Sequence, residues 1–169
     1  MNRGVLAALA AGLLVACSSP SEVSSDTSSL CASGAKSSAT PAGSPPVSFR
    51  NEVLPIFAAS CAFGSCHGSP SSEANNGVFL GARSGPTDAS AIRAALLGGT
   101  SVEVPSLPHV APSDPSRSYL LRKLDGDFCG IPECANGECG QRMPRGGDPL
   151  DAKARATIEA WIASGAPDS

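Results

Sequence analysis

Apolar side chains recur at helical spacing in four separate stretches of the chain. The first stretch gives one apolar face of a helix that leads directly into Cys61; its members are Phe49, Val53, Ile56 and Phe57. Pro55 lies inside this pattern, and a proline cannot donate the backbone hydrogen bond of a helix interior. The first turn is therefore expected to end or bend at Pro55.

The other three stretches carry their own start and stop signals. A run of good helix formers follows Asp88 and stops at Gly98 and Gly99, which predicts a helix over 88–97. Asp114 followed by a proline predicts the start of a short helix that ends near Gly126. The clearest apolar face predicts a helix over 151–164, again followed by a glycine. Because no stretch shows apolar alternation between hairpin turns, the sequence predicts an all-α, loop-rich domain.

The first residues of the chain have the pattern of an export signal. One basic residue precedes the apolar stretch 5–15, which is too short to span a bilayer. The stretch ends Leu-Val-Ala-Cys17 and resembles the bacterial lipobox, in which the cysteine is acylated and becomes the new N-terminus. We therefore expect residues 1–16 to be a lipoprotein signal peptide and Cys17 to carry a lipid anchor in the membrane; an ordinary secretory signal is the alternative. Ser18 stands where an aspartate often signals inner-membrane retention, which favours the outer membrane, facing the periplasm.

The rest of the chain divides by composition. Residues 17–47 are almost entirely Ser, Ala, Thr, Pro and Gly, so they are expected to form a disordered tether. Residues 48–169 are long enough for one compact domain. The formal charge is −3 and no basic stripe interleaves with aromatic residues, so nucleic acid is not expected as a partner. Many glycines and prolines imply a small core, which a bound prosthetic group would help to stabilise.

One short segment carries the most specific chemistry. Cys61 and Cys66 flank four residues, His67 follows directly, and Met143 lies far downstream before a proline. Two thiols for thioethers to haem vinyl groups, an imidazole for the iron and a distant thioether sulfur for its other face are the parts of a c-type cytochrome. The usual attachment motif has two residues between its cysteines. Gly64 is expected to give the longer spacer the backbone freedom to loop out.

Each of these residues has an alternative interpretation. Cys61 and Cys66 form a disulfide if the domain keeps its fold without haem, since an exported protein meets an oxidising compartment. A single methionine is more often a core filler than a ligand, but Met143 lies in a polar, glycine-containing loop. His109 is the other histidine of the chain and can replace Met143 as a ligand; a solvated loop histidine is the simpler interpretation.

A longer succession of segments is similar to the planctomycete-type cytochrome c domain, which also occurs in lipoproteins of myxobacteria. These segments span 49–57, 61–68, 111–124, 143–147 and 158–166. The resemblance implies one covalent haem c held by Cys61 and Cys66, with His67 as the proximal and Met143 as the distal iron ligand. It also implies that the helices near 119 and 161 pack around the cofactor, and that the cytochrome c-like domain exchanges electrons with redox partner proteins.

The remaining cysteines form a second group. One of the seven cysteines is expected to be lipidated and two to hold haem, which leaves Cys31, Cys129, Cys134 and Cys139. Because Cys31 lies in the tether, one disulfide within 129–139 is expected, and Cys129 with Cys139 would close a modest loop before Met143. A zinc site from three cysteines and His109 is the alternative, although the usual Cys-x-x-Cys spacing is missing.

Enzymatic function is not expected. The chain has no Gly-x-Ser-x-Gly elbow, phosphate-binding loop or His-Glu-x-x-His pair. A haem iron with His and Met ligands transfers electrons and has no open position for a substrate. Two other classes remain as alternatives: a haem-free structural or binding lipoprotein of the same fold, and a haem sensor or peroxidase that releases Met143 on activation.

Overall fold

The fold was analysed in a computed structural model that describes residues 45–168. The predicted signal peptide, Cys17, Cys31 and most of the tether lie outside the described residues. Within 45–168 the chain forms four α-helices: α1 Leu54–Ser60, α2 Ala89–Gly98, α3 Tyr119–Asp125 and α4 Ala152–Ala163. The one pairing of extended chain in this part is an isolated bridge between Thr100 and Pro108. The predicted all-α class is therefore confirmed. None of the described helices is long and apolar enough to cross a membrane.

α1 continues directly from a π-helical turn, Phe49–Val53. Ser48 caps this turn: its hydroxyl accepts a hydrogen bond from the backbone N–H three residues later (3.2 Å), and its own N–H donates to the carboxylate of Glu52 (2.7 Å). Pro55 lies in the first turn of α1, where its missing N–H costs no helical hydrogen bond. The irregularity that the sequence predicts near Pro55 is thus a change from π-helical to α-helical geometry. α1 then continues without a break to Ser60.

α2 and α4 closely match the predicted bounds because their ends are set by neighbouring residues. The carboxylate of Asp88 accepts a hydrogen bond from the N–H of Ala91 (3.0 Å) at the start of α2. Asp151 caps α4 in the same way, with bonds of 3.1 and 2.9 Å. Gly165 follows α4 with a φ of 94°, in the left-handed region that commonly ends a helix.

The predicted helix from Asp114 to Gly126 is split into two pieces. Asp114 caps only a 3₁₀ turn, Pro115–Arg117, and α3 begins after Ser118. The hydroxyl of the fully buried Ser118 accepts a hydrogen bond from the N–H of Ala111 (2.9 Å) and donates to the carbonyl of Asp114 (2.9 Å). These bonds hold Ser118 in an extended conformation, so the prediction of one continuous helix is wrong here.

The hydrophobic core lies where the N-terminal turn, α1 and α4 meet. Phe49, Phe57 and Trp161 are fully buried, and the ring centroid of Phe49 is 5.0 Å from that of Trp161 and 6.2 Å from that of Phe57. The indole Nε1 of Trp161 donates to the carbonyl of Pro167 (2.9 Å), so its polar atom is satisfied inside the core. This core fixes the position of α1 and therefore of the cysteine-containing segment that follows it.

Candidate functional site

The segment from Cys61 to His67 folds into a tight turn at the end of α1. The N–H of Cys61 donates to the carbonyl of Phe57 (2.8 Å), and the N–H of His67 reaches back to the carbonyl of Cys61 (3.3 Å). The carbonyl of Phe63 accepts two further backbone hydrogen bonds, of 2.8 and 2.9 Å. The four-residue spacer is therefore a compact turn with its own hydrogen bonds, and it delivers His67 next to α1.

Gly68 is the glycine that this turn requires. A Cβ at position 68 would lie 2.3 Å from the carbonyl oxygen of Ala62 and 2.8 Å from the carbonyl carbon of Phe63, so a side chain would force the turn apart. Gly64 has open space around it, and its φ lies outside the left-handed region. The expectation that Gly64 gives the spacer its freedom is therefore wrong, because the close backbone approach occurs at Gly68.

The two thiols of the segment have different surroundings. Cys61 is half-buried and lines a cavity, whereas Cys66 is exposed and does not line it. Both are free thiols, so the disulfide of the haem-free alternative is not formed between them. Burial, with a smaller contribution from the neighbouring Cys66, raises the pKa of Cys61 to about 11. Cys61 is thus a neutral thiol inside the cavity at neutral pH.

His67 is oriented by a backbone carbonyl. Its Nδ1 donates a hydrogen bond to the carbonyl oxygen of Val78 (2.7 Å), and its own carbonyl accepts from the N–H of Leu80 (2.9 Å). A carbonyl oxygen can only accept, so in the neutral ring the proton is on Nδ1 and the lone pair is on Nε2. Histidines that ligate a metal have this arrangement, because the second hydrogen bond fixes the tautomer and the ring orientation. His67 and Val78 line the same cavity as Cys61.

The loop between α2 and α3 brings the second histidine to this cavity. The N–H of His109 donates to the carbonyl of Gly99 (3.0 Å), beside the bridge between Thr100 and Pro108. His109 is half-buried and lines the cavity. Burial, followed by the charge of His67, lowers the pKa of His109. His67 and His109 therefore line one cavity.

Met143 reaches the cavity from the C-terminal end of α3. Its N–H donates to the carbonyl of Lys123 (2.7 Å). The stem of Arg142 lies over Gly126, where a Cβ would come 3.0 Å from the Cβ of Arg142, and its Nη2 donates to the carbonyl of Gly147 (2.7 Å). These contacts hold the loop against α3, and the half-buried side chain of Met143 lines the cavity.

A polar cluster forms one wall of the cavity. The carboxylate of Glu103 accepts hydrogen bonds from Nζ of Lys123 (2.8 Å) and from the hydroxyl of Tyr119 (2.8 Å). Lys123 is 8% exposed, so its buried charge depends on Glu103 for compensation. Burial, then the hydrogen bond and charge of Glu103, raises the pKa of Tyr119 well above its usual range. Sequence reasoning missed these residues, because Glu103 is distant in sequence from both partners.

Cys134 and Cys139 form a disulfide beside this polar cluster, with their Cα atoms 4.9 Å apart. The N–H of Ala135 donates to the carbonyl of Glu103 (2.8 Å), and the carbonyl of Cys139 lies 2.6 Å from the hydroxyl of Tyr119. Two left-handed residues inside the loop reverse the chain and bring the cysteines together. Cys129 is also disulfide-bonded. The suggested pairing of Cys129 with Cys139 is therefore wrong, and the disulfide uses two of the sulfurs that the zinc alternative needs.

The cavity has a volume of about 80 Å³ and is open to solvent at its mouth. The sulfur and imidazole groups that line the cavity belong to Cys61, His67, His109 and Met143. No group of three or more His, Cys, Asp or Glu side chains in residues 45–168 converges to hold a metal ion.

The walls of the cavity come mostly from α3 and from loops. α3 contributes Tyr119, Leu120, Lys123 and Leu124 to the lining. α4, which the resemblance places around the cofactor, contributes none of the lining residues and packs instead on the core through Trp161. Leu80, Leu96 and Leu124 belong both to this lining and to the core cluster that contains Trp161, so the cavity borders the core.

The chain was also compared with other proteins: it matches no protein-family model, no curated protein and no solved structure. The site is therefore interpreted from its own geometry. Of the residues predicted from sequence, the fold brings Cys61, His67, His109 and Met143 to one cavity and leaves Cys66 at the surface.

Proposed function

We propose that the protein is a monohaem c-type cytochrome that transfers electrons and has no enzymatic activity of its own. The observation that carries the proposal is the hydrogen bond from Nδ1 of His67 to Val78, which leaves Nε2 available as a ligand in a cavity that Met143 also lines. If His67 were simply a solvated histidine and Met143 a core filler, nothing would require them to line one cavity with the half-buried thiol of Cys61.

The apolar walls of the cavity and its sulfur and imidazole groups support haem as the bound group. Cys61 and Cys66 would hold haem through thioethers, His67 and Met143 would ligate the iron, and bound haem would supply a one-electron redox centre. Leucine and valine side chains form much of the remaining wall, so they exclude water from this centre. Lys123 and Glu103 neutralise each other, so they add no net charge to the wall.

The surface beside the second thiol supports electron exchange with a redox partner protein. Cys66 is exposed, and Phe63, inside the same spacer, is 42% exposed. The guanidinium of Arg83 lies 4.2 Å from the ring centroid of Phe63. A partner that docks on this apolar and cationic surface would approach the attachment edge of the cavity.

The proposed location follows from the N-terminal pattern. An acylated Cys17 would anchor the chain in the outer membrane, facing the periplasm, and a flexible tether of this length reaches roughly 30 Å. The cytochrome domain would then meet partners at some distance from the lipid surface.

Covalent haem content tests the proposal. The mature chain, produced in a bacterium with cytochrome c maturation machinery, should keep haem after denaturing electrophoresis, and its mass should increase by one haem. Replacing both Cys61 and Cys66 by Ser should abolish attachment, whereas replacing Cys134 and Cys139 by Ser, as the matched control, should preserve it. A colourless protein whose mass shows only a disulfide between Cys61 and Cys66 would refute the proposal and favour the haem-free structural or binding lipoprotein.

A further inference from the structure

A second imidazole, that of His109, faces the cavity that contains His67 and Met143. Its ring is held by the backbone: the N–H of His109 bonds to Gly99, and its Cδ2 and Nε2 atoms lie 2.8 and 3.2 Å from the place where a Cβ of residue 99 would be. The absent side chain of Gly99 therefore makes room for this ring.

Several other polar groups of the wall already have partners. Tyr119 and Lys123 each donate a hydrogen bond to Glu103, and His67 donates to Val78. Among residues 45–168, no hydrogen bond reaches the ring nitrogens of His109. An imidazole in a partly apolar cavity without a partner has unused donor and acceptor capacity. Among residues 45–168 the ring nitrogens of His109 are not buried away from solvent, so a group that enters the cavity can reach them.

We propose that His109 is a reserve iron ligand, which takes the coordination position of Met143 when the sulfur is absent. The inference rests on the proposed function. Imidazole suits iron as a ligand, and His109 and His67 line the same cavity. With two protein ligands available for one position, the iron stays six-coordinate and closed to external molecules. The cavity is then built for electron transfer and does not become a sensor or peroxidase site when Met143 leaves.

The test uses haem-loaded protein and its spectrum. Met143→Ala should lose the sulfur-to-iron charge-transfer absorption yet remain low-spin, with the electron paramagnetic resonance signature of two imidazole ligands. Met143→Ala combined with His109→Gln should become high-spin and bind carbon monoxide readily in its ferrous form, whereas Met143→Ala alone should resist carbon monoxide. Lys153→Gln, at an exposed position of α4 that does not line the cavity, is the matched control and should keep the sulfur-to-iron absorption.

Addition of free imidazole to the double variant should restore the low-spin spectrum, which checks that its cavity is intact. The inference is overturned if Met143→Ala is high-spin and binds carbon monoxide as the double variant does. It is also overturned if the double variant stays low-spin without added imidazole, because another group then holds the position. In both cases the haem content of the unaltered protein leaves the proposed function standing; an unaltered protein without haem overturns both.

Discussion

The Nδ1 atom of His67 lies 2.7 Å from the carbonyl oxygen of Val78 and donates a hydrogen bond to it. The bond joins the residue after the second thiol to a segment eleven residues later, and both residues line the cavity. Because the backbone position of Val78 is fixed by the fold, the ring of His67 cannot turn without losing this bond. The fold by itself therefore orients the imidazole of His67 and leaves the lone pair of its Nε2 atom available for bonding.

The tautomer of His67 is the first prediction. In the protein without haem, at about pH 8 and thus above the usual histidine pKa, long-range proton–nitrogen spectra should place the proton of His67 on Nδ1. His109, whose ring has no hydrogen bond within the described residues, serves as the internal comparison. Detection of His67 mainly in the Nε2–H form would contradict the orientation described here.

Gly64 in the spacer and Gly68 after His67 should respond differently to replacement by alanine. Gly68→Ala places a Cβ against the carbonyl of Ala62, and such overpacking should lower the free energy of unfolding by about 1–3 kcal/mol. It should also reduce covalent haem incorporation, because the turn that carries both thiols must shift. Gly64→Ala meets nothing within 4 Å and should change stability by no more than about 0.5 kcal/mol. Urea denaturation of both variants measures the difference, and equal effects would refute this assignment.

The negative charge of Glu103 should contribute more to the free energy of unfolding than the size of its side chain does. Glu103→Gln keeps the size of the side chain but leaves the buried ammonium of Lys123 without its counter-charge. The free energy of unfolding should fall by about 1–3 kcal/mol. Glu73→Gln, at an exposed position, is the control and should change it by less than about 0.5 kcal/mol. A Glu103→Gln protein as stable as the control would show that Lys123 is compensated elsewhere.

Peptide mapping under non-reducing conditions should recover Cys134 linked to Cys139. Replacing both by Ser should lower the free energy of unfolding by about 2 kcal/mol, since the disulfide closes only a short loop in the unfolded chain. The equivalent peptide linking Cys129 to Cys139, or free thiols at both Cys134 and Cys139, would contradict the pairing.

The lipid anchor can be tested separately from the redox site. Cys17→Ser should release the protein from the membrane fraction into the soluble periplasmic fraction, because acyl chains supply the proposed attachment. Ser18→Ala keeps Cys17 and is the matched control, which should remain with the membrane. Tight membrane association of the Cys17→Ser protein would mean that another segment or a partner holds it there.

Sequence alone was sufficient where the deciding interactions are local. The bounds of α2 and α4 follow from Asp88 and Asp151, whose side chains cap helices that begin at the next residue. The same is true of the all-α class, since the spacing of apolar residues and the stop signals act over single helices. The choice of Cys61, His67 and Met143 as residues of interest also needed only their types and order along the chain.

The tertiary structure decided which distant groups meet. Ser118 interrupts a helix because it bonds to Ala111, and Cys139 pairs with Cys134 because the loop between them turns back on itself. Neither the bond from His67 to Val78 nor the cluster of Glu103, Tyr119 and Lys123 leaves a periodic signal in the sequence. Such contacts depend on how packed helices and loops place residues that are far apart in the chain, so a local pattern contains no information about them.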